Sequence, residues 1–339
     1  MRYQLRYVRT PGPTTFGAAP MRGPRYRSRH GYGGAVSAPP RAEDPRWPRA
    51  SDWLAAGPGA RAPDFAVLGV PTFATSISAS GAHATPGAVR RALSRYSTWA
   101  ASRRLDVSQL AAWDVGDVDD PDTAVEGEWR IRQAARTAVT KARLLIALGG
   151  DNSATYPVMA GAFEADLATA GLVTLDAHHD LREGKSNGTP VRELIAAGVD
   201  PERIVQVGIA DWANSRSYHD EAVARGVMVI GRDEVARRGI GVCMAAALDV
   251  AGAAGGPIHV DLDLDVCDRS VAPACPASLP GGISAREAMD AAFLAARDPR
   301  VRAIDVTEVD ATNDAPDERT VRLAALCLLE AAAGLSLRR

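Results

Sequence analysis

Residues 171–180 read Gly171-Leu-Val-Thr-Leu-Asp176-Ala-His-His-Asp180, a short apolar run that ends in acids and histidines. Side chains two residues apart in an extended chain lie on the same face. We therefore expect Asp176, His178 and Asp180 to converge at the end of a buried strand. Because unpaired charges are too costly to bury alone, this stretch indicates a functional site as well as a strand.

A second stretch has the same design. Residues 258–268 read Ile258-His-Val-Asp261-Leu-Asp263-Leu-Asp265-Val-Cys-Asp268. Acids again stand two residues apart at the end of an apolar run. The spacing places Asp261, Asp263 and Asp265 on one face if the chain stays extended.

Outward from these stretches, short apolar runs alternate with amphipathic segments. The predicted strands are 64–70, 143–148, 171–175, 204–209, 227–230, 258–262 and 301–306. The predicted helices are 86–96, 128–141, 154–170, 190–197, 215–225, 243–252, 284–297 and 318–333. Apolar strands separated by helices are typical of βαβ units with a sheet buried on both faces. The sequence thus predicts an α/β fold of three αβα layers around a central, mostly parallel sheet, in one catalytic domain over residues 46–339.

The two acidic stretches favour a metal site. In open parallel sheets, ligands bind beyond the carboxyl ends of the strands. Clustered carboxylates repel one another unless a divalent cation lies between them. Oxygen ligands with a single imidazole favour Mn²⁺ or Mg²⁺ over structural zinc, and two clusters suggest two ions sharing a water. The alternative is that these acids cap helices and loops, and spacing alone names neither the metal nor the reaction.

Composition excludes several classes of protein. The chain has 339 residues, with 39 basic and 41 acidic side chains for a formal net charge of −2, so it is no polycation built for nucleic acid. Its 4 cysteines do not suffice for a disulfide scaffold. No apolar run reaches the roughly 18 residues of a membrane span. We expect a cytoplasmic protein with neither a nucleic-acid nor a membrane partner.

Residues 1–45 differ from the rest of the chain. They are rich in arginine, proline and glycine and show no apolar periodicity, which predicts a disordered N-terminal segment. One interpretation is a basic arm that touches an acidic partner. The other is an N-terminal extension without a role in the reaction.

Four motifs, in order, resemble those of the ureohydrolases, the family of arginase, agmatinase, guanidinobutyrase and formimidoylglutamase. They are Gly149-Gly-Asp-Asn-Ser153, Asp176-Ala-His-His-Asp180, Asp263-Leu-Asp-Val-Cys-Asp268 with Ala272-Pro273 and Pro280-Gly-Gly282, and Glu308 with Thr320. The resemblance covers about residues 64–333. It implies an arginase-like fold, a site for two Mn²⁺ ions, hydrolysis of a C–N bond in a small-molecule guanidine or amidine, and a homo-oligomer.

The resemblance also implies a set of metal ligands. Asp176 and Asp263 would bridge the two ions. His178 and Asp265 would complete the first ion, and Asp180 would bind the second. The carboxylates would thus supply most of the ligand atoms.

Position 152 departs from the family pattern. Ureohydrolases normally have a histidine there as a further ligand of the second ion, whereas this chain has Asn152. An amide oxygen is a weaker ligand than imidazole, so we expect the second ion to be held loosely. The resemblance gives catalytic roles to Asp180, which would transfer the proton, and to Glu308, which would hold the cationic nitrogen group.

Further matches favour formimidoylglutamase within the family. Arginases and agmatinases usually have a histidine where this chain has Asn187, and residues 207–218 and 317–323 also resemble formimidoylglutamase segments. The resemblance then implies hydrolysis of N-formimino-L-glutamate to L-glutamate and formamide, a step of histidine catabolism. The predicted substrate-binding residues are Arg182, Asn187, Arg192, Asn214, Ser215 and Tyr218.

Two other functions stay open at this point. One is a guanidine hydrolase that releases urea from guanidinobutyrate, agmatine or an N-hydroxyarginine. The other is a catalytically silent homologue that binds a small molecule, for which Asn152 is the only support.

Overall fold

The structure is a computed structural model that describes residues 44–338. The predicted disordered segment, residues 1–45, lies outside the described residues except for its last two. The domain boundary at residue 46 therefore stays a prediction.

Strands and helices alternate along the described chain. The strands are β1 (Phe65–Val70), β2 (Trp99–Ala100), β3 (Leu105–Asp106), β4 (Ala112–Asp117), β5 (Leu144–Gly149), β6 (Gly171–Leu175), β7 (Ile204–Ile209), β8 (Met228–Gly231), β9 (Ile258–Asp263) and β10 (Val301–Thr307). The α-helices are α1 (Ala50–Ala56), α2 (Thr85–Ala92), α3 (Glu126–Lys141), α4 (Thr155–Ala162), α5 (Pro190–Ala196), α6 (Arg216–Ala224), α7 (Arg232–Arg238), α8 (Ile240–Ala251), α9 (Ala285–Arg297) and α10 (Arg319–Ser336). Short 3₁₀ helices span Ala82–Ala84, Leu93–Arg95, Ala101–Arg103, Val107–Gln109, Asn152–Ala154, Pro201–Arg203, Leu264–Val266 and Ala311–Asn313.

Eight of the strands form one parallel sheet. Its order is β4-β1-β5-β10-β9-β6-β7-β8, and every neighbouring pair runs parallel. The remaining two strands, β2 and β3, form a small antiparallel ribbon.

Helices cover both faces of the sheet. Successive residues of a strand point to opposite faces, so Val67 of β1 packs in a core with Val89 of α2, while Leu68 packs in a second core with Ile131 of α3. The first core also takes in side chains of α1 and α7–α10, and the second takes in α4, α5 and α6. Each fully buried Val or Leu is worth about 1.5–3 kcal/mol, so these two cores are the main source of stability.

Some predicted elements differ from the structure. The helix predicted over 154–170 ends at Ala162, because Phe163 leaves the helical region with φ of −121° and packs its side chain into the second core. Helices α1 and α7 were not predicted. Nor was β4, an edge strand whose sequence Ala-Trp-Asp-Val-Gly-Asp is too polar to indicate a buried strand.

The predicted fold class is confirmed: the three layers are helices, a parallel sheet and helices. The central strands β5, β10, β9 and β6 are neighbours, although they are far apart in sequence. Because parallel strands end at the same edge of a sheet, the segments that follow these four strands meet there.

Candidate active site

The four sequence motifs lie at the carboxyl ends of the four central strands. Asp151 and Asn152 follow β5, Asp176 follows β6, Asp263 ends β9, and Glu308 follows β10. All five are buried. This is the edge at which open parallel sheets bind their ligands.

The turn after β5 requires a glycine. A Cβ on Gly150 would lie 1.9 Å from the carbonyl oxygen of Thr72, so no larger residue fits without moving the backbone. The carbonyl of Gly150 accepts a hydrogen bond from the backbone N–H of Glu308 (2.9 Å). The glycine thus ties the β5 turn to the residue after β10.

Three predicted ligands form one tight group. Ligand atoms of Asp176, His178 and Asp265 lie within 4.8 Å of one another, the one group of this kind among residues 44–338. Nδ1 of His178 is 2.9 Å from Oδ2 of Asp265 and 3.4 Å from Oδ1 of Asp176. The other oxygen of Asp176, Oδ2, is buried without a hydrogen-bond partner. A buried carboxylate oxygen with no partner is costly, and a divalent cation would satisfy it, so these residues fit a metal ion.

The charges in this group support the same conclusion. Burial disfavours a charged His178, yet the carboxylate of Asp265 and the hydrogen bonds to both acids raise the pKa of His178 to about 12. Burial, together with the charge of Asp265, raises the pKa of Asp176 to about 6. Burial, and then the charge of Asp176, raises the pKa of Asp180; burial and then Asp265 do the same for Asp263. Without a metal, the site therefore favours a proton on His178 and disfavours ionisation of Asp176, Asp180 and Asp263.

Asp180 and Asn152 are directly hydrogen-bonded. Asp180 has a left-handed backbone with φ of +53°. Nδ2 of Asn152 donates to Oδ2 of Asp180 (2.6 Å), and Oδ1 of Asn152 accepts from the hydroxyls of Thr155 (2.7 Å) and Thr307 (3.1 Å). In this orientation the asparagine offers hydrogens to Asp180, and its oxygen faces two hydroxyls.

Glu308 is held in place by two asparagines. Its Oε1 accepts from the backbone N–H of Asn152 (2.8 Å) and from Nδ2 of Asn187 (2.6 Å). Its φ of +60° is also left-handed. Burial outweighs these hydrogen bonds and raises the pKa of Glu308 to about 8. Such backbone strain in non-glycine residues gathers at functional sites.

A cavity of about 340 Å³ opens over these residues. Its floor is acidic, and its walls include most of the predicted substrate-binding residues. The predicted site residues that line it are His178, Asp180, Arg182, Asn187, Asn214, Ser215, Tyr218, Asp263, Asp265 and Glu308. Arg182 is exposed at this cavity, and its stem packs over Gly188, whose Cβ position is 2.9 Å from Cδ of the arginine.

Two predicted substrate-binding residues have other contacts. Arg192 does not line the cavity: its Nε donates to the carbonyl of Leu181 (2.8 Å) and its Nη2 pairs with Glu221 (3.3 Å), because α5 directs the side chain toward α6. Asn214 does line the cavity, but its amide is engaged by backbone groups of neighbouring segments.

The sequence did not point to some of the residues at the cavity. Ser76, Ile77, Ser78 and Ser80 line one wall. Serines at two-residue spacing in the loop after the strand predicted over 64–70 were a signal that could have identified them. His179, which lies between the predicted ligands His178 and Asp180, also lines the cavity.

With this geometry in place, comparisons identify similar proteins. Residues 63–334 match the sequence model of the arginase family. A formimidoylglutamase of Halalkalibacterium halodurans is 36% identical over 284 residues, which are 80% of this chain and 87% of that protein. The crystal structure of formimidoylglutamase from Bacillus subtilis has a TM-score of 0.81 and 31% identity, covering 90% of this chain and 96% of that one.

A formiminoglutamase of Trypanosoma cruzi, solved with Mn²⁺, shares the fold. Its TM-score is 0.78 at 23% identity, and the match covers 86% of this chain and all 100% of that one. Separately, each helix within residues 44–338 is too short or too polar to cross a lipid bilayer.

Proposed function

This chain belongs to the arginase family, and from that premise we propose that it hydrolyses N-formimino-L-glutamate to L-glutamate and formamide. Water adds to the formimino carbon, and the bond from that carbon to the glutamate nitrogen breaks. The observation that carries the proposal is the acidic floor of the cavity: buried carboxylates that need a cation, in a chain 36% identical to a formimidoylglutamase.

We propose Mn²⁺ as the cofactor, with two ions per chain. Asp176 and Asp263 would contact both ions, His178 and Asp265 the first, and Asp180 the second. The group of Asp176, His178 and Asp265 supports the first of these sets, and a carboxylate-rich site with one imidazole suits Mn²⁺. When bound, such ions lower the pKa of water so that hydroxide is available near neutral pH.

Asp180 is the proposed proton carrier. It lies at the cavity, and burial raises its pKa, which makes its carboxylate a stronger base. It takes the proton released as the C–O bond forms and delivers it to the glutamate nitrogen as that nitrogen leaves. Asn152 aims the carboxylate by donating to its Oδ2.

Glu308 is the proposed partner of the formimino group. A formimino group on nitrogen is an amidine and is readily cationic. Glu308 lies in the same cavity as Asp180, and a carboxylate there holds the cationic nitrogens by charge-assisted hydrogen bonds. Asn187 fixes Glu308 through Oε1, so its role is to orient the acid.

Arg182 is the proposed partner of a substrate carboxylate. It is exposed at the cavity and takes part in none of the ion pairs described for residues 44–338. A guanidinium in this position matches a carboxylate by paired hydrogen bonds. Ser215, which caps α6, and Tyr218 complete the wall beside it. Agmatine has no carboxylate and would leave Arg182 without a partner.

A substrate panel tests the proposal. The protein purified with Mn²⁺ is given N-formimino-L-glutamate, guanidinobutyrate and agmatine, and formamide and urea are measured separately. We expect formamide from the first compound and little urea from the others, with Asp263→Asn as the inactive control. Faster urea release would assign a guanidine hydrolase instead, and no product from any compound would identify a silent homologue.

We further propose that the protein is a cytoplasmic homo-oligomer. All four cysteines are free and buried, as expected for a reducing compartment, and two of the similar formimidoylglutamases come from the bacteria Halalkalibacterium halodurans and Bacillus subtilis. Light scattering after gel filtration measures the number of chains per particle, and a monomer would contradict the assembly.

A further inference from the structure

His179 stands between two proposed metal ligands, His178 and Asp180, but its ring contacts other parts of the fold. It is 1% exposed. It offers four polar groups: the backbone N–H, the backbone carbonyl and two ring nitrogens. All four have partners within 3.3 Å, although His179 lies in the loop between β6 and α5.

Gln206 of β7 contacts two of these groups at once. Its side chain is fully buried. Nε2 donates to the backbone carbonyl of His179 (2.9 Å), and Oε1 lies 2.6 Å from Nδ1 of the ring. Because Oε1 can only accept, Nδ1 of His179 must carry the hydrogen.

That assignment determines the other ring contact. With the hydrogen on Nδ1, Nε2 of the neutral His179 ring is an acceptor. It lies 3.3 Å from Nδ1 of His219 on α6, so His219 is the donor. The ring of His179 is therefore held in a single orientation by residues of β7 and α6.

Asn214 holds the backbone from the other side. Its Oδ1 accepts the backbone N–H of His179 (3.0 Å), and its Nδ2 donates to the carbonyl of Ala177 (2.8 Å) and that of Ala210 (3.3 Å). Residues 177 and 179 alternate with the ligands at 176, 178 and 180. Fixing the alternate residues fixes the directions in which the ligands point.

We propose that Gln206 and Asn214 are positioning residues for the metal site. They act through the His179 ring and through the backbone of residues 176–180, which we call the ligand loop. In this way they hold His178 and Asp180 in the orientation that a metal requires before the metal binds. This inference rests on the proposed metal site. Removing a residue that hydrogen-bonds to a metal ligand, without itself contacting the metal, commonly lowers metal affinity about 10–100-fold.

Three variants test the proposal. Gln206→Met removes both contacts of the glutamine, and Asn214→Asp keeps the acceptor for the N–H of His179 but removes the donor. Thr174→Val is the matched control, since Thr174 is buried, pairs with Gln206 across the sheet and has a hydroxyl without a hydrogen-bond partner. Asn214 is only half-buried, so its variant folds even if Gln206→Met does not.

Two measurements separate positioning from simple packing. Calorimetric titration with Mn²⁺ gives the affinity, and hydrogen exchange of the metal-free protein gives the protection of the ligand loop. We expect Gln206→Met and Asn214→Asp to weaken Mn²⁺ binding about 10–100-fold and to speed exchange in residues 176–181, with excess Mn²⁺ restoring turnover. Thr174→Val is expected to match the wild type in both measurements.

Unchanged Mn²⁺ affinity and unchanged loop exchange in folded Asn214→Asp would overturn the proposal. So would equal effects in Thr174→Val, because they would reflect packing alone. If the wild-type protein bound no Mn²⁺, the proposed function would fail, yet loop exchange in the metal-free protein would still decide whether Gln206 and Asn214 hold the loop.

Discussion

Replacing Asn152 by histidine is expected to lower the stability of the metal-free protein and to raise its affinity for the proposed second Mn²⁺ ion. The asparagine makes three buried side-chain hydrogen bonds, with Asp180, Thr155 and Thr307. At about 1 kcal/mol for each bond, their loss costs about 3 kcal/mol. For a folded body of this size the thermal midpoint of the metal-free protein falls by roughly 5 °C.

The same substitution would supply a nitrogen ligand for the proposed second ion. Asn152 directs its amide hydrogens at Asp180. Its oxygen could therefore contact an ion only if the amide group rotated by half a turn and lost its hydrogen bonds with Asp180, Thr155 and Thr307. An imidazole at position 152 could offer a ring nitrogen to the ion without such a rotation. We expect the Mn²⁺ affinity of the second ion to rise about 10–100-fold, which equals about 1.4–2.7 kcal/mol. Saturating Mn²⁺ should therefore recover most of the lost stability.

Calorimetric titration and thermal unfolding, with and without Mn²⁺, measure both effects. Thr155→Val is the control: it removes one of the three hydrogen bonds and adds no ligand, so it lowers the midpoint slightly and leaves Mn²⁺ affinity unchanged. Identical isotherms for Asn152→His and wild type, with one ion per chain in each, would refute the reasoning, since position 152 would then contact no metal.

The other predictions concern the rest of the site. Asp263→Asn should abolish turnover and release metal, which activity and metal analysis check together. Arg182→Gln should lower kcat/KM about 10–100-fold, mostly through KM, because a charge-assisted contact worth about 1.5–3 kcal/mol is lost. An equal loss in Arg216→Gln, on the exposed side of α6, would contradict a specific role of Arg182. Deleting residues 1–45 should leave kcat almost unchanged, and a large loss without unfolding would tie that segment to the site. The raised pKa values of Glu308 and His178 mean that the folded metal-free protein binds more protons than the unfolded chain. Its thermal unfolding midpoint should therefore decrease as the pH is raised from 6 to 8, and added Mn²⁺ should reduce this dependence on pH.

Strands buried on both faces were predictable from sequence, and so were the acids that follow them. Residues 171–175 and 258–262 are short, mostly apolar stretches followed directly by Asp176 and Asp263, so each strand and its ligands could be assigned together. The edge strand β4 could not be predicted in this way. Only one of its sides meets another strand, and its half-exposed residues include Asp114 and Gly116.

Contacts between distant segments account for the remaining differences. The sequence gives no sign that Gln206 reaches His179, since they are 27 residues apart. Nor does it show that Arg192 turns to the carbonyl of Leu181, because any arginine near a metal motif has the right charge for substrate. The orientation of the Asn152 amide depends on hydroxyls from α4 and β10, and residue type alone does not determine it.

The order of strands in the sheet has a consequence for how the protein is made. The proposed ligands follow β6 and β9, and the acid expected to hold the substrate follows β10, which lies between β5 and β9. During synthesis, β10 reaches the sheet last, so β5 and β9 cannot adopt their final spacing until residues 301–307 have emerged. A nascent chain that stops short of β10 exposes the edges of β5 and β9 and lacks Glu308, the acid expected to hold the substrate. The complete site, with Glu308 beside the residues after β5, β6 and β9, can therefore assemble only once residues 301–308 have been synthesised.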